Sequence, residues 1–157
     1  MEKWYVAAKR ADFGAWAQKL GIDPVVARIL RNRDLTAAEE AERFLAGKLE
    51  DCHSPWLLKD MEKAVLLILK AIENHVPIRV IGDYDVDGIC SSYILTKGLR
   101  LMGAEADTAI PHRIHDGYGL NDSLIKEAER DGIGMIVTCD NGIAAAGQIA
   151  LAAALGI

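Results

Sequence analysis

A short grammar occurs twice in this chain of 157 residues: an apolar run, then a carboxylate, then a glycine. It reads Ile78-Arg-Val-Ile-Gly-Asp-Tyr-Asp-Val-Asp-Gly88 the first time and Met135-Ile-Val-Thr-Cys-Asp-Asn-Gly142 the second. Short apolar runs closed by turn residues read as buried strands, and helical patterns lie between them. An apolar helix over Asp60 to Glu73 precedes a strand at Ile78–Ile81 and a helix from about Ile89 to Met102. A strand near Ala106–Ile110, a helix from Asp122 to Arg130, a strand at Met135–Thr138 and an alanine-rich helix to Leu155 complete the pattern. Strands alternating with helices imply right-handed crossovers and a mainly parallel open sheet with flanking helices, an α/β fold. Leu95, Leu99 and Met102, at i, i+4 and i+7, form the stripe that one helix turns to the core.

Asp83, Asp85 and Asp87 crowd into five residues after the first apolar run. In an extended segment, side chains two apart point the same way, so the three carboxylates converge, and a hard divalent cation with oxygen ligands relieves their repulsion best. Asp140 stands at the carboxyl end of the other strand, the edge of an open α/β sheet where ligands bind. A calcium loop of the EF-hand type also begins D-x-D-x-D-G. It fails here, because its twelfth position falls on Ile94 instead of a bidentate glutamate and the preceding residues read as strand. An aspartate-rich solvated turn is the bland reading of the first cluster, and an ordinary Asp-Asn-Gly turn that of Asp140.

Pro111 to Asn121 sets His112, Arg113, His115 and Tyr118 on a glycine-rich loop directly after a strand. Arg113 offers a planar fork for phosphate and Tyr118 a face on which a base stacks, while Gly117 and Gly119 allow close backbone approach. By themselves His112 and His115 read as exposed loop histidines.

Three of these segments carry a resemblance. Gly82-Asp-Tyr-Asp-Val-Asp-Gly88, Ile110-Pro-His-Arg-Ile-His-Asp-Gly-Tyr-Gly-Leu-Asn121 and Thr138-Cys-Asp-Asn-Gly-Ile143 resemble, in order and spacing, successive motifs of the DHH phosphoesterase superfamily, and within it the exonucleases specific for single-stranded DNA. The similarity runs upstream through Leu20-Gly-Ile-Asp-Pro24, the Thr36 to Leu45 segment and His53-Ser-Pro-Trp-Leu-Leu-Lys-Asp-Met61, nearly the whole chain. It implies a metal-dependent 5′-to-3′ exonuclease of recombination and repair, acting on single-stranded DNA beside a single-strand-binding protein and a helicase. Two divalent ions, Mn²⁺ or Mg²⁺, would lie about 3.5–4 Å apart. Asp85, Asp87 and Asp140 are the implied ligands, Asp140 the bridging one, and Asp83 an auxiliary ligand or an orienter of water. Arg113, Tyr118, Gly119 and Asn141 are the implied substrate contacts, whereas no ligand role carries over to His112 or His115. The motif that names the superfamily is expected beyond Ile157, so the chain reads as residues 1–54, a helical lead-in, and 55–157, the first part of a catalytic domain, inactive alone. Two alternatives stay open: another hydrolase of the superfamily, acting on oligonucleotides, cyclic dinucleotides or pyrophosphate, and a non-catalytic scaffold of replication or repair.

Charge leaves the partner open. Residues 1–54 hold nine basic and nine acidic side chains, so the net charge of −5 comes wholly from 55–157, where four acids are the proposed site aspartates. Bound cations would invert that local sign. No apolar core of signal-peptide length and no stretch of membrane-spanning length is present, which points to the cytoplasm and no membrane. Cys52, Cys90 and Cys139 are odd in number and lack C-x-x-C spacing, so neither a disulfide frame nor a zinc site is indicated, and Cys139 reads as a small buried residue.

The lead-in reads as helical from Trp4 to about Cys52. Its expected starts are Asp23-Pro24 and a capping box at Thr36-Ala-Ala-Glu39, and Trp4, Trp16 and Trp56 are expected to pack. Arg28, Arg31 and Arg33 read as a helix end whose cations complement the dipole, with a phosphate backbone as the alternative contact.

Overall fold

A computed structural model describes residues 2–5 and 9–157. Two compact units divide at Leu57 and Leu58.

The first unit holds α1 (Phe13–Leu20), α2 (Pro24–Asn32) and α3 (Ala38–Ala46). Asp12 accepts from the Ala15 amide and Asp23 from the Val25 amide, so a side-chain cap starts each of the first two helices, with Pro24 in the first turn of α2. The third start is displaced from the expected box by one residue. Glu40 reaches back to the Thr36 and Ala37 amides at 2.7 and 3.1 Å, while Glu39 faces Lys19 in an ion pair. The two adjacent glutamates compete for one role, and a tertiary partner draws Glu39 away. Residues 2–5 and 9–12 are irregular, so helix begins at Phe13, and residues 6–8 of the expected helical stretch lie outside the described residues. Trp4 is 91% exposed and Trp56 is exposed too, so of the three tryptophans expected to pack only Trp16 is partly covered. Arg28 lies 4.9 Å over the Phe13 ring and Arg31 donates to the Arg10 carbonyl, uses internal to the unit.

The second unit contains α4 (Met61–Glu73), β1 (Ile78–Ile81), α5 (Val86–Leu101), β2 (Ala106–Ala109), α6 (Asp122–Arg130), β3 (Met135–Thr138) and α7 (Ala146–Ala154). All pairings are parallel, in the order β2-β1-β3, with Ile78 opposite both Ala106 and Met135. Alternation along β1 divides the core. Ile78 and Val80 pack with Ala71, Leu99 and Ala106, while Ile81 packs with Leu120, Leu124, Ile125 and Ala152. A central strand covered on both sides reads as a continuous apolar run, and every residue of β1 is buried. The exception inside that run is Arg79, 7% exposed. Its guanidinium grips both oxygens of Asp107 on β2 at 2.9 and 2.6 Å and reaches Asp131 after α6 at 2.8 Å, which holds it charged.

Met102 departs from its expected place in the core stripe. It caps the carboxyl end of α5 and is 56% exposed, while Leu99 is buried and Leu95 packs beside it.

The chain steps from β1 to β2 on one side and then over to β3 on the other. The strand order therefore reverses about β1, and the crevice outside the carboxyl ends of β1 and β3 is the switch point where open α/β sheets bind ligands.

Candidate metal centre and its flanking loop

Both aspartate turns leave the sheet at that crevice, β1 into Gly82–Gly88 and β3 into Cys139–Gly142. The first turn is tighter than an extended segment. Asp85 adopts extended backbone and accepts from the Gly88 amide at 2.9 Å, which starts α5 at Val86, three residues earlier than the sequence pattern indicates. Gly88 permits it, since a Cβ there would sit 2.3 Å from the Asp83 carbonyl oxygen. The three aspartates consequently do not line one side of a strand. Asp83 is fully buried, Asp85 is the exposed helix cap, and Asp87 is exposed in the first helical turn.

Asp140 follows β3 with a φ of 58°, a left-handed conformation that aspartate tolerates better than most residues. Its carboxyl group lies within hydrogen-bond reach of Asp85. The two respond in opposite directions. The Gly88 amide foremost, helped by Asp140 and by Arg113, holds Asp85 below the usual aspartate range. Partial desolvation, then the bond to Asp85 and repulsion from Asp85, Asp87 and Asp83, pushes Asp140 above it. Neither oxygen of Asp83 has a hydrogen-bond partner.

Among the described residues no three His, Cys, Asp or Glu side chains form a ready cage for an ion. The structure brings Asp85 and Asp140 together, buries Asp83 behind them and leaves Asp87 at the rim. This donor set fits a divalent cation. Buried carboxylate oxygens without donors, beside two carboxyls forced to share a bond, are satisfied at once by positive charge and oxygen coordination.

The loop between β2 and α6 leans over the same turns. The Arg113 guanidinium lies 4.5 Å over the Tyr84 ring, and Tyr118 meets that ring edge-on at 6.0 Å. Asp83 first, with partial desolvation and Asp140 next, pushes the Tyr118 hydroxyl above its ordinary value. Gly119 is buried against Asn141, whose carboxamide is inaccessible and unpartnered, and a cleft of about 330 Å³ opens between Tyr118, Asp140, Asn141, Ile143 and Gln148. His112 and His115 stack on each other at 4.7 Å, exposed on the outer turn. Tyr84 escapes sequence reasoning because the carboxylates on either side carry the motif, although its position between Asp83 and Asp85 was the available signal.

Residues 77–157 match the DHH family, N-terminal domain. The chain belongs to the DHH family. Its relatives include the single-stranded-DNA-specific exonuclease RecJ of Bacillus subtilis, 36% identical over 140 residues, and that of Escherichia coli, 35% identical over 138. Those alignments take in 89% and 87% of this chain but 18% and 23% of the relatives, so the chain spans about a fifth of their length. Among solved structures, exonuclease RecJ bound to manganese superposes with a TM-score of 0.59 and 33% identity, over 64% of this chain and 26% of that one. The DHH match begins at Pro77, directly before β1, so it takes in both aspartate turns and the loop with Arg113 and Tyr118.

Proposed function

We propose that this chain is the amino-terminal part of a metal-dependent exonuclease that hydrolyses single-stranded DNA from its 5′ end in recombination and repair. The observation that carries the reading is the meeting of Asp85 and Asp140, from two different strand exits, beside a buried Asp83 without donors. Buried carboxylates such as Asp83 are ordinarily paired. Here, among the described residues, no lysine or arginine forms an ion pair with any of the four site aspartates. The likeness to manganese-bound RecJ supports the choice of ion, Mn²⁺ with Mg²⁺ as substitute.

Asp85, Asp87 and Asp140 would hold the metal, two ions in the complete protein, with Asp83 behind them as auxiliary ligand or orienter of water. A divalent ion in this place supplies an activated water and stabilises charge on the scissile phosphate. The remaining residues bind and orient. Arg113, held over Tyr84, presents two N–H groups to a backbone phosphate, Tyr118 offers its ring to a base, and Gly119 and Asn141 shape the cleft beside Asp140. The remaining ligands, the Asp-His-His motif and the further domains would lie in sequence following residue 157, and partners would include a single-strand-binding protein and a helicase in the cytoplasm. Among the described residues, no helix is long and apolar enough to cross a membrane.

Electron paramagnetic resonance of free Mn²⁺, titrated into the chain, tests the site. Weak binding that Asp85→Ala and Asp140→Asn each abolish is expected; binding indifferent to both variants places the metal elsewhere. In a protein extended through the histidine motif, each variant should remove nearly all release of nucleotides from 5′-phosphorylated single strands. Arg113→Ala should instead raise the DNA concentration required and flatten the salt dependence.

A further inference from the structure

Three segments bring carboxylates to the site: the exit of β1 with Asp83, the start of α5 with Asp85 and Asp87, and the exit of β3 with Asp140. One buried hydroxyl, carried by α5 itself, meets the other two segments. Ser92, 1% exposed, lies on the inner face of α5 two turns beyond Asp85, and its Oγ stands 3.4 Å from the Sγ of Cys139, the residue immediately before Asp140. The same Oγ presses on Gly82, the residue immediately before Asp83, so closely that a Cβ at Gly82 would be 1.9 Å from it and 2.7 Å from the Gly88 carbonyl oxygen.

From this junction we infer that Ser92 is a positioning residue of the metal centre, setting the distance and angle between the carboxylates at the start of α5 and Asp140. The inference rests on the metal-site reading above. Its physical basis is the difference between packing and hydrogen bonding. Apolar contact is non-directional and tolerates a helix that slides or rolls, whereas a hydrogen bond holds its donor and acceptor within a narrow range of distance and angle. A serine hydroxyl this deep costs stability unless bonded, and among the described residues the Cys139 thiol is its one side-chain partner.

The fold contains its own control. Thr96, one turn further along the same face and 6% exposed, bonds its hydroxyl to Thr108 on β2 at 2.6 Å. Thr96 fastens α5 to a strand, whereas Ser92 fastens it to the turn after β3 that carries a site aspartate. A role in stability alone would make the two equivalent; a role in positioning separates them.

The test compares Ser92→Ala, Thr96→Val, Cys139→Ala and the Ser92→Ala/Cys139→Ala double variant of this chain in three measurements. These are thermal unfolding, Mn²⁺ affinity by electron paramagnetic resonance, and amide hydrogen exchange at residues 139–142. Ser92→Ala should weaken Mn²⁺ binding about tenfold, as loss of a group that orients a ligand does. Cys139→Ala should match it, the double variant should add nothing, and Thr96→Val should keep the parent affinity despite a comparable loss of thermal stability. Unchanged Mn²⁺ affinity in Ser92→Ala overturns the proposal. If the parent chain binds no Mn²⁺ at all, the metal reading fails separately and exchange decides. Faster exchange at residues 139–142 in Ser92→Ala but not in Thr96→Val then upholds the positioning role, and equal rates in the two variants refute it.

Discussion

The exits of β1 and β3 are written in the same grammar and end in opposite electrostatic states. After β1, the central strand, the turn passes straight into a helix, and the Gly88 amide gives Asp85 a donor that favours its charge. After β3, an outer strand whose residues are all partly exposed, the turn goes through a left-handed aspartate, and Asp140 meets other carboxylates in place of a donor. The charge of Asp85 is stabilised and that of Asp140 is disfavoured. The difference shows that apolar run, carboxylate and glycine specify a turn, while the next element decides what the carboxylate experiences.

The largest effect should come from the glycines. Gly88→Ala drives a Cβ to within 2.3 Å of backbone atoms of Asp83 that cannot swing aside, and should cost about 3 kcal/mol in denaturant unfolding. Gly142→Ala meets the Thr138 hydroxyl, which can rotate, and the Thr138 Cβ, which cannot, at a φ of 90°, and should cost about 1–2 kcal/mol. The reverse order would mean that the first turn is the looser one.

Next come the carboxylates without metal. Asp140→Asn should raise the melting temperature of the metal-free chain near neutral pH, because it removes a charge that the fold disfavours. Asp85→Ala should lower it, because α5 loses its cap. Two variants that both damage Mn²⁺ binding yet move stability in opposite directions are hard to reconcile with any account in which the two aspartates are equivalent.

The pH dependence should carry the same signature. A folded pKa above the ordinary aspartate value of 3.8 makes the contribution of Asp140 greatest at acid pH, and it is lost as pH rises through the folded value. For Asp85, whose folded pKa is lowered, the contribution is present above 3.8 and is lost as pH falls through the folded value. Asp140→Asn should therefore flatten the stability profile on the upper side of 3.8, and Asp85→Ala on the lower side. Coincident changes would contradict the assignment.

The smallest effect concerns the loop. Arg113→Ala and Tyr84→Leu should each cost about 0.5–1 kcal/mol by chemical denaturation, with little further loss when combined, since they delete the two halves of one cation–π contact. Additive losses would detach the loop from the β1 exit.

Much of this was legible in the chain itself. β1, α6 and β3 occupy the spans their patterns indicate, because apolar runs between turn residues and a strongly amphipathic stretch leave few alternatives. The start of α5 was not, since Asp85 has equal claims as a strand ligand and as a helix cap until the Gly88 amide is in place. Glu39 and Glu40 present the same ambiguity, resolved by Lys19 from another helix. Ser92 gives no hydropathic signal, because the inner face of α5 near the site is made of small and polar residues, Gly88, Ser92 and Thr96.

Local residue order by itself determined the parallel α/β architecture, the two turns and the identity of the charged groups, because period, turn chemistry and side-chain type act over a few neighbouring residues. Only the tertiary structure decided which aspartates meet. Asp85 and Asp140 are fifty-five positions apart, and their approach depends on β1 and β3 pairing side by side, on α5 starting at Val86, and on contacts such as Ser92 with Cys139 that join segments no local pattern connects. Charge repulsion and hydrogen bonding act through space, so the electrostatic contrast between the two exits arises only once the sheet has brought them together.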